Sequence, residues 1–209
     1  MVRSRWIFAR ARLTLVLLGS AASPAFAHTV NPKLGGFYAG FLHPITALEH
    51  VLPFFVLGIL AGQLGEERGR YMVLIFPGAI AVGAVSALWI PGVHGIGLIN
   101  ILSAAVLGAL VASAWRMPML LFYAAGIIFG LTHGYANGAA IGDKIAPYFF
   151  IPGVAVAAAV VVAYGMLGTD YVLRLKAGWP RIAVRVAGSW VAAIGILVLS
   201  LSAKSLLKS

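Results

Sequence analysis

Six stretches of the chain are almost wholly apolar, and each ends at a short cluster of glycine, proline or charge: residues 35–64, 71–90, 95–115, 118–140, 148–168 and 182–203. Their lengths match the ~20 residues that a helix needs to cross the core of a bilayer. A shorter apolar run, "LTLVLLGSA", lies near the start, behind the basic "MVRSRWIFARAR" and ahead of "SPAFA". That order reads as a secretory signal cleaved after Ala27, at the Ala25-Phe26-Ala27 pattern; a retained, short first helix is the competing reading. The pattern predicts an all-α integral membrane protein. It consists of a signal peptide over 1–27 and a single domain over 28–209, a bundle of about six transmembrane helices joined by short loops.

Composition sharpens this. Of the 209 residues, 62% are hydrophobic and only 10% charged, whereas a soluble domain carries roughly a quarter of its residues as charges. The formal charge of +10 does not point to nucleic acid, because the basic residues flank the spans. With the mature N-terminus outside, the inner loops hold Arg68, Arg70, Arg116, Arg174, Lys176, Arg181 and Arg185, and the outer segments hold Lys33, Lys144, Lys204 and Lys208. Seven against four agrees with the positive-inside rule. It puts the mature N-terminus on the outer side of the lipid bilayer; the expected setting is a bacterial inner membrane, with that N-terminus in the periplasm. The chain has no cysteine, which excludes disulfides, thiolate metal sites and thiol catalysis. No GxxxxGK[ST] sequence occurs, so ATP hydrolysis by a P-loop is excluded too.

Within so apolar a chain, the polar exceptions carry the chemistry. Glu49 is the single carboxylate inside a span; Glu66, Glu67, Asp143 and Asp170 fall in loops or at a span end. An ionisable group at membrane depth costs at least ~2.5–3.5 kcal/mol and marks a pathway or site. His43 and His50 flank it, seven residues apart, on one face of a continuous helix but ~10.5 Å apart along its axis. Metal–imidazole bonds are only about 2 Å long. Either the helix breaks at Pro44 and the flanking glycines and brings the rings together, or the histidines are successive stations.

A second constellation is "FGLTHGYANGAA", where His133 and Asn137 share a face beside Gly126, Gly130, Gly134 and Gly138. Glycine every fourth residue makes a stripe for close helix packing. The stripe turns His133 and Asn137 toward the bundle interior, where they meet the first span. His133 alone would read as a packing histidine; with His43, Glu49 and His50 it reads as part of a metal site. Imidazole with carboxylate suits zinc, copper, iron, nickel or cobalt rather than magnesium or calcium. His28, exposed as a new N-terminus by cleavage, is a possible further ligand through its α-amine and imidazole, or simply a polar end. His94, in "PGVHGIG", reads as a loop residue.

These residues resemble the HupE/UreJ family of membrane proteins. The family's first-span motif, His-Pro-x-x-Gly-x-Asp-His, appears as His43-Pro44-Ile45-Thr46-Ala47-Leu48-Glu49-His50, and its second, roughly His-Gly-x-Ala-His-Gly-x-Glu, as His133-Gly134-Tyr135-Ala136-Asn137-Gly138-Ala139-Ala140. The resemblance implies uptake of a divalent transition-metal ion, nickel or cobalt, as cargo, with no permanently bound cofactor and no enzymatic activity. It implies a metal site of His43, Glu49, His50 and His133, with His28 and Asn137 as possible members. Ala47 and Glu49 are small departures from the motif. Asn137 and Ala140 remove an imidazole and a carboxylate, which implies weaker binding or a different ion. Because ligands must shed protons to bind metal, uptake is expected to fall as pH drops through the histidine range. Two other readings compete: an accessory or sensor protein for metalloenzyme assembly, and a haem electron carrier using histidines from two helices, such as His50 and His133.

Overall fold

The computed structural model describes residues 35–175 and 177–206, with side chains described as far as Ser202. The segment expected to be a signal peptide, residues 1–27, and His28 lie outside the described residues. Among the described residues eight helices follow one another: α1 Gly36–Thr46, α2 Leu48–Leu64, α3 Glu66–Gly69, α4 Met72–Trp89, α5 Ile96–Ser113, α6 Met119–Ala139, α7 Pro147–Leu173 and α8 Trp179–Leu206. Among the described residues there is no strand. Among the described residues five helices are long and apolar enough to cross a membrane, and α1 with α2, bent by 78°, makes a sixth if the pair is one broken span. Leu74 and Leu120 are 74% and 79% exposed on the outer surface, as lipid-facing side chains would be.

The helix ends follow local chemistry. Expected to stop near residue 168, α7 runs on to Leu173 because Asp170 and Arg174, one turn apart, join at 2.7 Å. Expected to start near 182, α8 begins at Trp179, since Pro180 in a first turn forfeits no intrahelical hydrogen bond. The loop after α4 turns through Gly92 and Gly95, both with φ near +80°. It is pinned by Tyr135 of α6, whose hydroxyl donates to the Ile90 carbonyl and accepts from the Val93 amide. His94 sits exposed in this loop, as its surroundings in the sequence predict.

Three tight seams hold the bundle: α4 against α6, α5 against α8, and the bent α1–α2 pair against α7. Each is lined with glycine. A methyl group added at Gly134 or Gly138 of α6 would run into the backbone of α4 at Ile80 or Ala84. Gly108 meets Gly188 and Ala192 across the second seam, and Gly58 meets Val162 and Gly165 across the third. In lipid, where hydrophobic burial cannot drive helices together, such close backbone approach supplies the packing energy. The stripe expected on the fourth span is therefore one of three. With α2 also against α5, and α4 against α7, the helices enclose a centre lined by Phe54, Phe76, Phe122 and Phe150, all fully buried or nearly so.

Candidate functional site

The first span breaks at Ala47, three residues after Pro44. Ala47 takes an extended backbone (φ −95°, ψ 109°) and its carbonyl starts α2, accepting from His50 and Val51 at 2.9 and 3.0 Å. Pro44 has no amide hydrogen to give the preceding turn. Thr46 compensates at the end of α1, where its hydroxyl reaches the Leu42 and His43 carbonyls at 2.9 and 3.2 Å. The break thus falls inside the bundle, and the amino end of α2 opens there with Glu49 in its first turn. A carboxylate at that position complements the partial positive charge of the helix start.

The break folds the two histidines of the first span toward each other. Their ring centres lie 6.0 Å apart, well short of the ~10.5 Å rise between these positions on an unbroken helix. His50 continues to His133 of α6, at 5.1 Å between ring centres. Two imidazoles on one ion, each bonded at about 2.0–2.1 Å, have ring centres no more than roughly 6.5 Å apart. Both neighbouring pairs fall within that reach. All three rings are buried, at 4%, 2% and 0% exposure for His43, His50 and His133. Phe150 packs on His43, and Phe54 packs on both His50 and His133. Among the described residues, however, no three His, Asp or Glu side chains already stand as a metal-ligand group.

The rings instead form a hydrogen-bonded chain whose direction can be worked out. Ser103 of α5 lies 2.6 Å from the Asn100 carbonyl and 2.8 Å from His133 Nε2. A carbonyl only accepts, so the Ser103 hydroxyl donates to it and is left to accept from His133 Nε2–H. In a neutral imidazole the other nitrogen then carries the lone pair. His133 Nδ1 therefore accepts from His50 Nδ1–H across 2.8 Å. His50 Nε2 in turn presents a lone pair, facing Asn137 Nδ2 at 3.4 Å and Glu49 Oε1 at 3.8 Å. Asn137 Nδ2 also donates to the His133 carbonyl at 2.8 Å. Its amide oxygen is buried with no hydrogen-bond partner.

Glu49 lies at the margin of this chain. Its side chain is 45% exposed and, with Leu48, Leu52, Asn100, Ile101 and residues of α8, lines a pocket of about 370 Å³ between α2, α5 and α8. Asn100 is 3% exposed and its amide oxygen also lacks a partner. The centre therefore holds three kinds of donor: imidazole nitrogens, one carboxylate, and two unpartnered amide oxygens. His50 Nε2 and Glu49 Oε1, 3.8 Å apart, can both reach one cation at about 2.0–2.2 Å from each. Haem between His50 and His133 would require these two rings to part. Axial nitrogens on either side of an iron lie ~4 Å apart, whereas these touch at 2.8 Å.

The family model described as HupE / UreJ protein matches residues 15–198. The chain belongs to the HupE/UreJ family. Protein HupE of Rhizobium leguminosarum bv. viciae is 29% identical over 188 residues, covering 87% of this chain and 94% of that protein. No solved structure matches the chain. In this HupE/UreJ protein the first motif straddles the break at Ala47 and the second lies on the buried face of α6, so the two motifs meet at the His50–His133 contact. Ala140, just past the end of α6, is three residues beyond Asn137.

Ser103 and Asn100 are the members of the centre that the sequence reading passed over. Three apart in the apolar "INILSAAVLG", they share one helix face. That pairing of polar side chains in an otherwise apolar span is the signal that marks them.

Proposed function

We propose that this HupE/UreJ protein takes up a divalent transition-metal ion, nickel or cobalt, across the bacterial inner membrane, and that it acts as a transporter rather than an enzyme. One observation carries the reading. Three buried imidazoles, from α1, α2 and α6, stand in successive contact at a broken membrane span, beside the carboxylate of Glu49. Sites at discontinuous helices near the middle of the membrane are a recurring device of transporters. Family membership supports the same cargo.

The charge distribution orients the molecule. Arg68, Arg70, Arg116, Arg174, Arg181 and Arg185 all lie at one end of the bundle, which the positive-inside rule makes cytoplasmic. Gly36 at the start of α1 is then periplasmic, and His43 is the first imidazole an incoming ion meets. His50 Nε2 and Glu49 take it next, the carboxylate offsetting part of the cation's charge in a low-dielectric setting. The oxygens of Asn137 and Asn100 are further donors at hand. For His133 Nδ1 to join, the His50–His133 hydrogen bond must open, which frees the lone pair that His133 Nδ1 already carries.

Cellular metal content, measured by elemental mass spectrometry, tests the proposal. Cells expressing the protein, or a His43→Ala/His50→Ala variant at matched abundance, receive trace nickel, cobalt, zinc, copper and iron. Nickel or cobalt accumulation that disappears in the variant supports the reading. Accumulation of a different ion changes the cargo, and no difference for any metal overturns uptake by this protein alone.

A further inference from the structure

At the basic end of the bundle a second pocket, about 410 Å³ in volume, opens among the ends of four helices. It is lined by Gln63 of α2, Trp115 and Arg116 of the α5–α6 turn, Leu173 of α7, and Arg181 and Arg185 of α8. Three guanidinium groups face one cavity with no carboxylate among its lining residues. Among the described residues, the ion pairs made by arginine use Glu66 and Asp170, both held by Arg174, and none reaches Arg116, Arg181 or Arg185. The whole chain has only five acidic residues against fifteen basic ones. An anion that pairs with these three arginines would therefore come from outside the described residues.

The framework of the pocket is fixed by protein contacts. Arg185 Nε donates to the Ala112 carbonyl at 2.8 Å, and Gln63 Nε2 to the Val111 carbonyl at 3.1 Å, so the two cap the end of α5. The turn that presents Trp115 and Arg116 passes through Ala114 in the left-handed region, φ 51°. A residue with a side chain is disfavoured there by ~1–2 kcal/mol. The remaining arms of Arg185, and the whole guanidinium groups of Arg116 and Arg181, make no hydrogen bond among the described residues. Gln63 adds a different requirement: its amide oxygen is enclosed and lacks a partner, and so calls for a donor.

We propose that this pocket binds the headgroup of an anionic phospholipid, specifically a phosphodiester whose headgroup bears hydroxyls, as in phosphatidylglycerol. Guanidinium groups pair with phosphate oxygens through parallel, charge-assisted hydrogen bonds. A headgroup hydroxyl supplies the donor that Gln63 lacks. A choline headgroup meets neither need, since its phosphate charge is cancelled and it has no hydroxyl. The position suits a lipid: basic pockets between helix ends on the cytoplasmic side hold anionic headgroups, and Trp115, 49% exposed, is of the type that sits at headgroup level. The lipid would bridge α2, α5 and α8 at the end of the bundle opposite the start of α1.

The test uses full-length protein in phosphatidylcholine nanodiscs, with and without phosphatidylglycerol, and counts lipids retained after release in native mass spectrometry. An Arg116→Gln/Arg181→Gln variant leaves the Arg185 and Gln63 caps intact, and Arg116→Gln alone serves if the double variant unfolds. Arg70→Gln, at the same end but outside the pocket, is the control. We expect retained phosphatidylglycerol on the wild type and on Arg70→Gln, with binding weakened roughly fivefold for each pocket arginine removed. No preference for phosphatidylglycerol, or an equal loss with Arg70→Gln, overturns the site. Inorganic phosphate displacing the lipid at matched concentration would assign the pocket to a soluble anion and overturn the lipid.

Discussion

A single methyl group placed on α6 separates two ways in which the glycine stripe can matter. At Gly134, an added Cβ would lie 2.7 Å from Ile80 Cα and closer still to the Ile80 carbonyl oxygen, where ordinary contact starts at 3.4 Å. Backbone cannot swing aside, so α4 and α6 must part by about 1 Å. His133 precedes Gly134, and its contacts with His50 and Ser103 are both 2.8 Å long. A shift of that size takes them beyond hydrogen-bonding range. Overpacking costs about 1–3 kcal/mol, and each lost hydrogen bond about 0.5–1.5 kcal/mol more. For a domain of this size the sum lowers the melting temperature by on the order of 5–10 °C. Gly126 is the comparison. There the added Cβ meets only the thioether of Met72, 2.5 Å from Cε, and a flexible methionine can move out of the way. Thermal unfolding of detergent-purified Gly134→Ala and Gly126→Ala, with metal uptake in cells, reads the difference: a large loss of both for the first, and a few degrees with uptake retained for the second. Equal effects at the two positions would refute the reasoning, because the stripe would then act only as a general small-residue surface.

Two further outcomes follow from the centre itself. Ser103→Ala leaves the His133 Nε2–H buried with no acceptor and is expected to destabilise by about 1–3 kcal/mol. Ser103→Thr, which keeps the hydroxyl, should recover much of this in the same thermal assay, and no change for the alanine variant would contradict the Ser103–His133 hydrogen bond. Glu49→Gln is expected to reduce metal uptake more than Asn137→Ala, because it removes the one negative charge available to a cation at membrane depth. Uptake rates at matched expression decide this, and the reverse ranking counts against Glu49 as the charge-compensating ligand.

The fold was largely legible because membrane spans are written in composition and length. The second, third and fourth expected spans agree with α4, α5 and α6 to within two residues at either end. The places where the boundaries moved are those where a local rule was outweighed. Gly168 and Asp170 looked like a terminus, yet the Asp170–Arg174 pair carries α7 another turn. The last span was expected from residue 182, but Pro180 is harmless in a first turn and α8 starts at Trp179. The break in the first span was foreseen only as one of two alternatives and was expected at Pro44. It falls at Ala47, where the carbonyl can start a new helix while Thr46 closes the old one. Which residue takes an extended backbone after a proline depends on where the released carbonyls find donors, and spacing alone does not contain that information.

The site was legible by residue type and less so by role, and Asn137 shows why. Read from the motif, it is a position where an imidazole ligand is missing. In the structure its amide nitrogen donates to the His133 carbonyl and faces His50 Nε2, while its oxygen stays unpartnered. A single imidazole nitrogen carries at most one hydrogen, so histidine could not make both of these contacts from one atom as an amide NH₂ group does. The substitution therefore adds a means of positioning, and leaves an oxygen donor in place of a nitrogen. Oxygen donors suit harder cations than imidazole does, so under the proposed function position 137 would bear on which ion the centre prefers as well as on how tightly it holds one. That role depends on how α2 lies against α6, a relation between residues 87 apart in the chain, and it becomes visible only once the Ala47 break has brought His50 to His133.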